Sequence, residues 1–472
     1  MKRSMTYGVI VGNRGFFPAE LCKDGRARLL AVLARRGDKA VSLAPAATPA
    51  FGAIESLADA RACAAFLRSR AAALDGIIIT LPNFGDERAI ANALRAADLN
   101  LPVLIHAYAD EAGKMTSAHR RDSFCGKISV CNNLRQYGIK FTLTSQHTCT
   151  PESPAFAADL DMFGAVCRVV KRLRRARIGA IGARPAAFNT VRYSEKLLEA
   201  AGISIETLDL SEVFGRVTRL RDRDERVRAK LNAIRSYVST ARIPASALLK
   251  MAKLGVVIDA FVRDEQLAGT AIQCWTALEE FFGVVPCTLM SMMSNALTPS
   301  ACEVDLCGLL SMLALQEASR SPAAIVDWNN NYGDDPDACV LFHCSNLPKA
   351  LFTEAHMDYQ AIIAGAVGKQ NTYGTIVGRL AAGPLTFCRM STDDLNGRIV
   401  SYTGHGAFTD APLRTFGGYG VMRVPHLQAL LTFICQFGFE HHVAVTRGTV
   451  AAAVAEAFEN YLGWDVYRHQ AE

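Results

Sequence analysis

Gly76-Ile77-Ile78-Ile79-Thr80-Leu81 is a short uncharged run, one of four in the first third of the chain, the others spanning 7–11, 40–43 and 102–107. Between the first three, residues 19–36 and 58–73 carry apolar side chains at helical spacing. Short apolar runs alternating with helical patterns are the signature of a parallel sheet with crossover helices, so this region reads as a doubly wound α/β unit.

A second unit of the same kind opens after the basic segment 169–177. There Ile178-Gly179-Ala180-Ile181 reads as a strand and Gly182-Ala183-Arg184-Pro185 as its turn. A helix over 191–201 closes on Gly202, a suitable C-cap. Further strands are predicted at 255–258, 323–327 and 340–343, with Asp327 and His343 at strand ends, where open α/β sheets gather functional groups. From residue 353 the texture changes to short segments, 375–380, 384–390 and 397–403, separated by glycine and turn residues. That pattern predicts an antiparallel barrel or sandwich, followed by a final helix over 448–462. The expected fold class is α/β: two doubly wound domains, 1–172 and 173–352, then a β-rich, barrel-like domain, 353–472.

Composition narrows the class. The chain has 472 residues, half of them apolar, and a net charge of +6 spread among interspersed acids, too long for one core of about 250–300 residues. Its basic stretches, 171–177 and 216–230, lack interleaved aromatics and read as solvated helix faces, so no nucleic-acid partner is expected. No signal-peptide core and no run of ~18–20 apolar residues is present, which predicts a cytoplasmic protein without a membrane partner. The 14 cysteines include no C-x-x-C pair and are expected to stay reduced. Gly179-Ala180-Ile181-Gly182 does not satisfy G-x-G-x-x-G, so a dinucleotide site is not expected.

Three polar islands carry the chemistry: Ala301-Cys302-Glu303-Val304-Asp305, Asp327-Trp328-Asn329-Asn330-Asn331 and Glu440-His441-His442. Each sets charged or ligating groups beside apolar neighbours, and buried charge is costly unless paired or metal-bound. Two carboxylates and an imidazole form a mostly oxygen-donor set suited to Mn²⁺ or Mg²⁺. Blander readings stand beside this one. Asp305 opens a helix and suits an N-cap, an isolated Glu303 could be a dipole partner, Asp327 with its asparagines could form a turn, and the His pair could be a satisfied core pair.

Together with Gln273-Cys274-Trp275-Thr276, Pro286-Cys287, Phe342-His343-Cys344, Asn13-Arg14-Gly15-Phe16-Phe17 and the segment 182–190, these islands resemble the L-fucose isomerase/L-arabinose isomerase-like family over most of the chain, in its shorter, divergent form. The resemblance implies an aldose–ketose isomerase of a pentose or (deoxy)hexose, working through a cis-enediol. It implies Mn²⁺, with Mg²⁺ or Co²⁺ as alternatives, held by Glu303, Asp327 and His442, and one of the two carboxylates moving the proton. His441 would touch substrate hydroxyls. Gln273 and His343 are further substrate candidates, read equally as a hydrogen bond within the fold and as a partner orienting a ligand. Arg14 resembles a position that reaches a neighbouring subunit's site, in an assembly usually hexameric, and is otherwise a loop arginine. A sugar with an acidic substituent, such as a sulfosugar, is an alternative substrate, with arginines such as Arg184 and Arg389 as its candidate contacts, though most arginines are surface residues. A non-catalytic sugar-binding protein is the alternative outside the enzymes.

Overall fold

The computed structural model describes residues 4–469, folded as two compact units that divide between Lys171 and Arg172. The first is built on five parallel strands, β1 (Thr6–Val11), β2 (Lys39–Val41), β3 (Gly76–Leu81), β4 (Val103–Ala107) and β5 (Thr142–Leu143), in the order β2-β1-β3-β4-β5. Every residue of β3 is buried. Ile77, Ile79 and Leu81 enter one hydrophobic cluster and Ile78 the other, as the two-residue strand period demands of a sheet covered on both faces.

The second unit contains two sheets. A parallel one has β6 (Arg177–Ile181), β7 (Ser204–Leu208), β8 (Thr270–Ile272) and β9 (Ser300–Cys302) in the order β7-β6-β8-β9. The other, mixed but mostly antiparallel, has nine strands: β10 (Ala323–Asn331), β11 (Ala338–His343), β12 (Phe352–Tyr359), β13 (Tyr373–Leu380), β14 (Gly383–Asp393), β15 (Arg398–Thr409), β16 (Gly418–Arg423), β17 (His442–Arg447) and β18 (Asp465–His469). Their order is β12-β13-β16-β11-β10-β17-β14-β15-β18, and a further β15–β16 pairing closes β16, β11, β10, β17, β14 and β15 into a six-stranded ring. The expected α/β class with a barrel-like C-terminal part is therefore the observed one. The helix Leu306–Ser319 lies between the two sheets, touching β8, β9, β14 and β17, and is apolar and buried almost all round. One continuous core joins Ile272 and Cys302 of the parallel sheet to Val326, Phe387 and Val443 of the mixed one.

Three readings need correction. Residues 255–258 are not a strand but the interior of the helix Ala245–Asp264. The helix carries polar residues on either side, Lys250 and Lys253 before and Asp259 after, but residues 254–258 between them are all buried, so Gly255-Val256-Val257-Ile258 looks like a buried strand. A Cβ on Gly255 would meet Leu289 Cδ2 at 2.8 Å, so glycine serves close packing there. Strands β10 and β11 pair within the mixed sheet, not with the second parallel sheet. The helix read over 191–201 is confined to Glu195–Ala200, because Ser194 caps it by accepting from Leu197 N–H. Gly202 does follow it with φ +86.

Candidate active site

Two neighbouring strand ends and one antiparallel pair assemble the site. Ile272 of β8 lies opposite Cys302 of β9, so the residues that follow, Cys274-Trp275 and Glu303, emerge side by side at the carboxyl edge of the parallel sheet. Glu303 and Val304 both have φ 56, in the left-handed region. For non-glycine residues this costs about 1–3 kcal/mol each and marks functional sites. Trp275 Nε1–H donates to Glu303 Oε1 at 2.9 Å and the Cys274 thiol donates to the same oxygen at 3.5 Å. Oε2 has no hydrogen-bond partner among the described residues. Burial raises the Glu303 pKa, and the opposing pull of His343 and His442 does not cancel it.

In the mixed sheet Asp327 of β10 pairs directly with His442 of β17 and with Phe342 of β11. Directly opposed residues share a face. His442 Nε2 consequently lies 3.5 Å from Asp327 Oδ1 and 3.6 Å from Glu303 Oε2. Asp327 Oδ1 is likewise buried without a hydrogen-bond partner among the described residues.

Behind His442 runs a buried ionic chain that the sequence reading missed. His442 Nδ1 is 2.8 Å from Asp305 Oδ2. Arg389, wholly buried, reaches both Asp305 oxygens at 2.5 and 3.1 Å and donates from Nε to Glu440 at 3.0 Å. Asp305 is the helix cap it was read to be, accepting from Gly308 N–H, but the same carboxylate also orients the imidazole. A Cβ on Gly308 would collide with Asp305 and with Arg389, so glycine is required there. Burial works to raise the Asp305 pKa, yet Arg389 and His442 hold it well below the usual carboxylate range. Burial alone would lower the His442 pKa, but Asp305, then Glu303 and Asp327, outweigh it and raise it.

A cavity of about 390 Å³ opens over these groups, lined among others by Phe188, Trp275, Phe342, Gln360 and His441, a size typical of small-molecule sites. His343 Nε2 is 3.8 Å from Glu303 Oε2. Burial opposes charge on His343, but Cys344, Asp327 and Glu303 outweigh it and hold its pKa up to about 10. His441, at the cavity wall, has Nε2 3.8 Å from Asp327 Oδ1, and burial lowers its pKa. Gln273 lies outside that lining: its Oε1 accepts from Ala183 N–H at 2.8 Å, tying the turn after β6 to the end of β8. Arg14, in the other compact unit, pairs with Glu87, donates to Gly85 O at 3.1 Å and stacks over Phe84. It is therefore held within its own unit, not loose in solvent.

The donors fit a divalent cation. Two buried carboxylate oxygens without hydrogen bonds, both facing the same imidazole, can accept a positive partner, and their separations from His442 Nε2 of 3.5 and 3.6 Å suit ligands held about 2.1 Å from one ion. An imidazole whose other nitrogen meets a carboxylate is the usual arrangement of a ligating histidine.

Comparison with known proteins gives the family. Residues 8–174 match the family model described as fucose/sulfoquinovose isomerase, N-terminal domain, and residues 341–470 match L-fucose isomerase, C-terminal domain. The chain belongs to the fucose isomerase-like family and is an aldose–ketose isomerase. It is similar to a sulfoquinovose isomerase of Alkalicoccus urumqiensis, 23% identical over 396 residues that cover 83% of this chain and 86% of the relative. A sulfoquinovose isomerase of Priestia aryabhattai is 23% identical over 343 residues, 71% of this chain and 74% of the relative. That of a Clostridium species is 24% identical over 195 residues, 41% and 43% of the two chains. Among the described residues no helix is long and apolar enough to cross a membrane.

Proposed function

We propose that this isomerase converts a hexose carrying an anionic group, of the sulfoquinovose kind, to its 2-ketose, with Glu303, Asp327 and His442 holding a divalent cation of the Mn²⁺ class. The observation supporting the chemistry is the convergence of those three groups, two of them with buried, hydrogen-bond-free oxygens. Supporting the substrate class are relatives named sulfoquinovose isomerase that align over most of the chain. When bound, the cation supplies Lewis-acid polarisation of the sugar's C1 and C2 oxygens and stabilises developing negative charge.

The remaining work falls to the side chains. Glu303, fixed through Oε1 by Trp275 and Cys274, turns Oε2 to the cavity, where it serves as the base. It takes the proton from C2 and returns it to C1 of the cis-enediol, while the hydroxyl proton of O2 passes to O1. Asp327 offers the second carboxylate toward the cation, and His441 offers a neutral imidazole to a sugar hydroxyl. Phe188, Trp275 and Phe342 screen the reacting carbons from water. Arg389 is not available to a sulfonate, being wholly buried between Asp305 and Glu440. Arg184, in the loop that leads to the cavity-lining Phe188, is the cation assigned to that role.

One observation favours a neutral sugar instead: none of the cavity-lining residues is Lys or Arg. The two readings separate when sulfoquinovose and L-fucose are offered to wild type and Arg184→Ala. On the anionic reading, sulfoquinovose is turned over and the variant raises its KM at least tenfold with kcat little changed. Turnover of L-fucose alone, indifferent to Arg184, would sink it. Isomerisation in deuterated water should place deuterium at C1 of the ketose, whereas a product free of solvent deuterium would point to a hydride shift.

A further inference from the structure

Four of the 14 cysteines gather around Glu303. Cys302 precedes it at the end of β9, and Cys274 donates to its Oε1 at 3.5 Å. The ligand atoms of Cys274, Cys302 and Glu303 all lie within 4.8 Å of one another. Cys287 and Cys344 lie close enough to the Cys302 thiol, and to each other, for their thiols to perturb one another. All four are free thiols. Cys274, Cys287 and Cys302 are buried, whereas Cys344 is half-buried and lines the cavity.

Isolated buried cysteines are ordinary small core residues. Sulfur grouped at one oxygen of a buried carboxylate is a different pattern, because it is a donor set. Its softness contrasts with the other side of Glu303, where Asp327 and His442 offer oxygen and nitrogen. Thiolates with one carboxylate select a soft, tetrahedral d¹⁰ ion over Mn²⁺ or Mg²⁺.

We propose that Cys274, Cys302 and Glu303 Oε1 form a second cation site, for a soft divalent ion of the Zn²⁺ class that enters from the cavity past Cys344, with Cys287 and Cys344 as adjoining sulfur donors. On binding, Cys274 and Cys302 each release one proton to water, so the divalent ion with its three anionic donors carries one net negative charge. Occupation ties Oε1 to the soft ion, displacing the Trp275 and Cys274 hydrogen bonds. A consequence, resting on the role given to Glu303 above, is that such ions inhibit the isomerase.

The test uses Cd²⁺ as the soft probe on full-length protein saturated with Mn²⁺. The expected result is one Cd²⁺ per chain, an ultraviolet thiolate-to-metal charge-transfer band, and about two protons released per ion, read with an indicator dye. The band should lose at least one thiolate's share in Cys302→Ala and persist when the two exposed cysteines, Cys125 and Cys435, are replaced together. Should Cys302→Ala fail to fold, Cys274→Ser should weaken the band in the same way. Absence of the band, its full intensity in Cys302→Ala or Cys274→Ser, or its loss with Cys125 and Cys435 would overturn the proposal. The band is read without substrate, so its failure is distinct from failure of the sugar assignment.

Discussion

Glu279 should make the unit containing the site less stable as pH rises. Its side chain is wholly buried on the π-helical turn Leu278–Phe282, and neither carboxyl oxygen has a hydrogen-bond partner among the described residues. Burial, with lesser contributions from Cys344 and Glu280, pushes its pKa from 4.5 up to about 8. Unfolded, the group loses its proton near 4.5, while folded it keeps it until about 8. Across that window the unfolded chain binds fewer protons, so stability falls as pH rises and levels off above pH 8. Each tenfold change in proton affinity is ~1.4 kcal/mol, so the full loss is on the order of 3–5 kcal/mol. Glu279→Gln keeps the shape, cannot ionise, and leaves a buried amide at a roughly constant cost of about 1–3 kcal/mol. Urea unfolding followed by tryptophan fluorescence reports the right region, since Trp275, Trp328 and Trp464 all lie in the second unit. The variant should gain on wild type steadily from pH 5 to 8. Parallel curves for the two proteins would refute the argument.

The ionic chain behind His442 predicts two separable effects. Arg389→Met strands Asp305 and Glu440 as buried charges and should cost about 3–5 kcal/mol in unfolding free energy, whereas Asp305→Asn should weaken Mn²⁺ binding ~10–100-fold by calorimetric titration. Mn²⁺ must displace the proton from His442, whose pKa stands above its usual 6.5. Affinity should therefore fall with decreasing pH from an onset above 6.5, and Asp305→Asn should move that onset lower; a pH-independent Kd contradicts this. Glu303→Gln should lose at least ~10²–10⁴-fold in kcat with its circular dichroism spectrum unchanged, and near-normal turnover would remove Glu303 from proton transfer.

Much of this architecture is legible in local pattern. Runs such as Gly76–Leu81 declare a sheet buried on both faces, and the islands holding Glu303, Asp327 and the His441-His442 pair stand out because a charge beside an apolar run needs a partner, whereas the choice of His442 from the pair rests on the family resemblance. What stays hidden is register and distance along the chain. That Asp327 faces His442 follows from the β10–β17 pairing, which no local pattern encodes. Arg389 contacts Asp305 across 84 positions and Glu440 across 51, so a residue weighed for an anionic sugar proves to be the clamp behind a histidine. Asp305 was visible as a cap, and its second contact with His442 was not. The apolar run 255–258 misleads for the converse reason, since it is one turn buried on every side within a helix whose polar residues lie before and after it.

The central claim is a cation-dependent isomerase of an anionic hexose, and its most direct test is ketose formation by chelator-stripped protein resupplied with Mn²⁺, Mg²⁺ or Co²⁺ and offered sulfoquinovose beside L-fucose, L-arabinose and ribose. The account predicts no turnover without metal and turnover of sulfoquinovose, above the neutral sugars, once Mn²⁺ is restored. Full activity in the stripped protein, or folded and metal-loaded protein that leaves sulfoquinovose untouched, would contradict it.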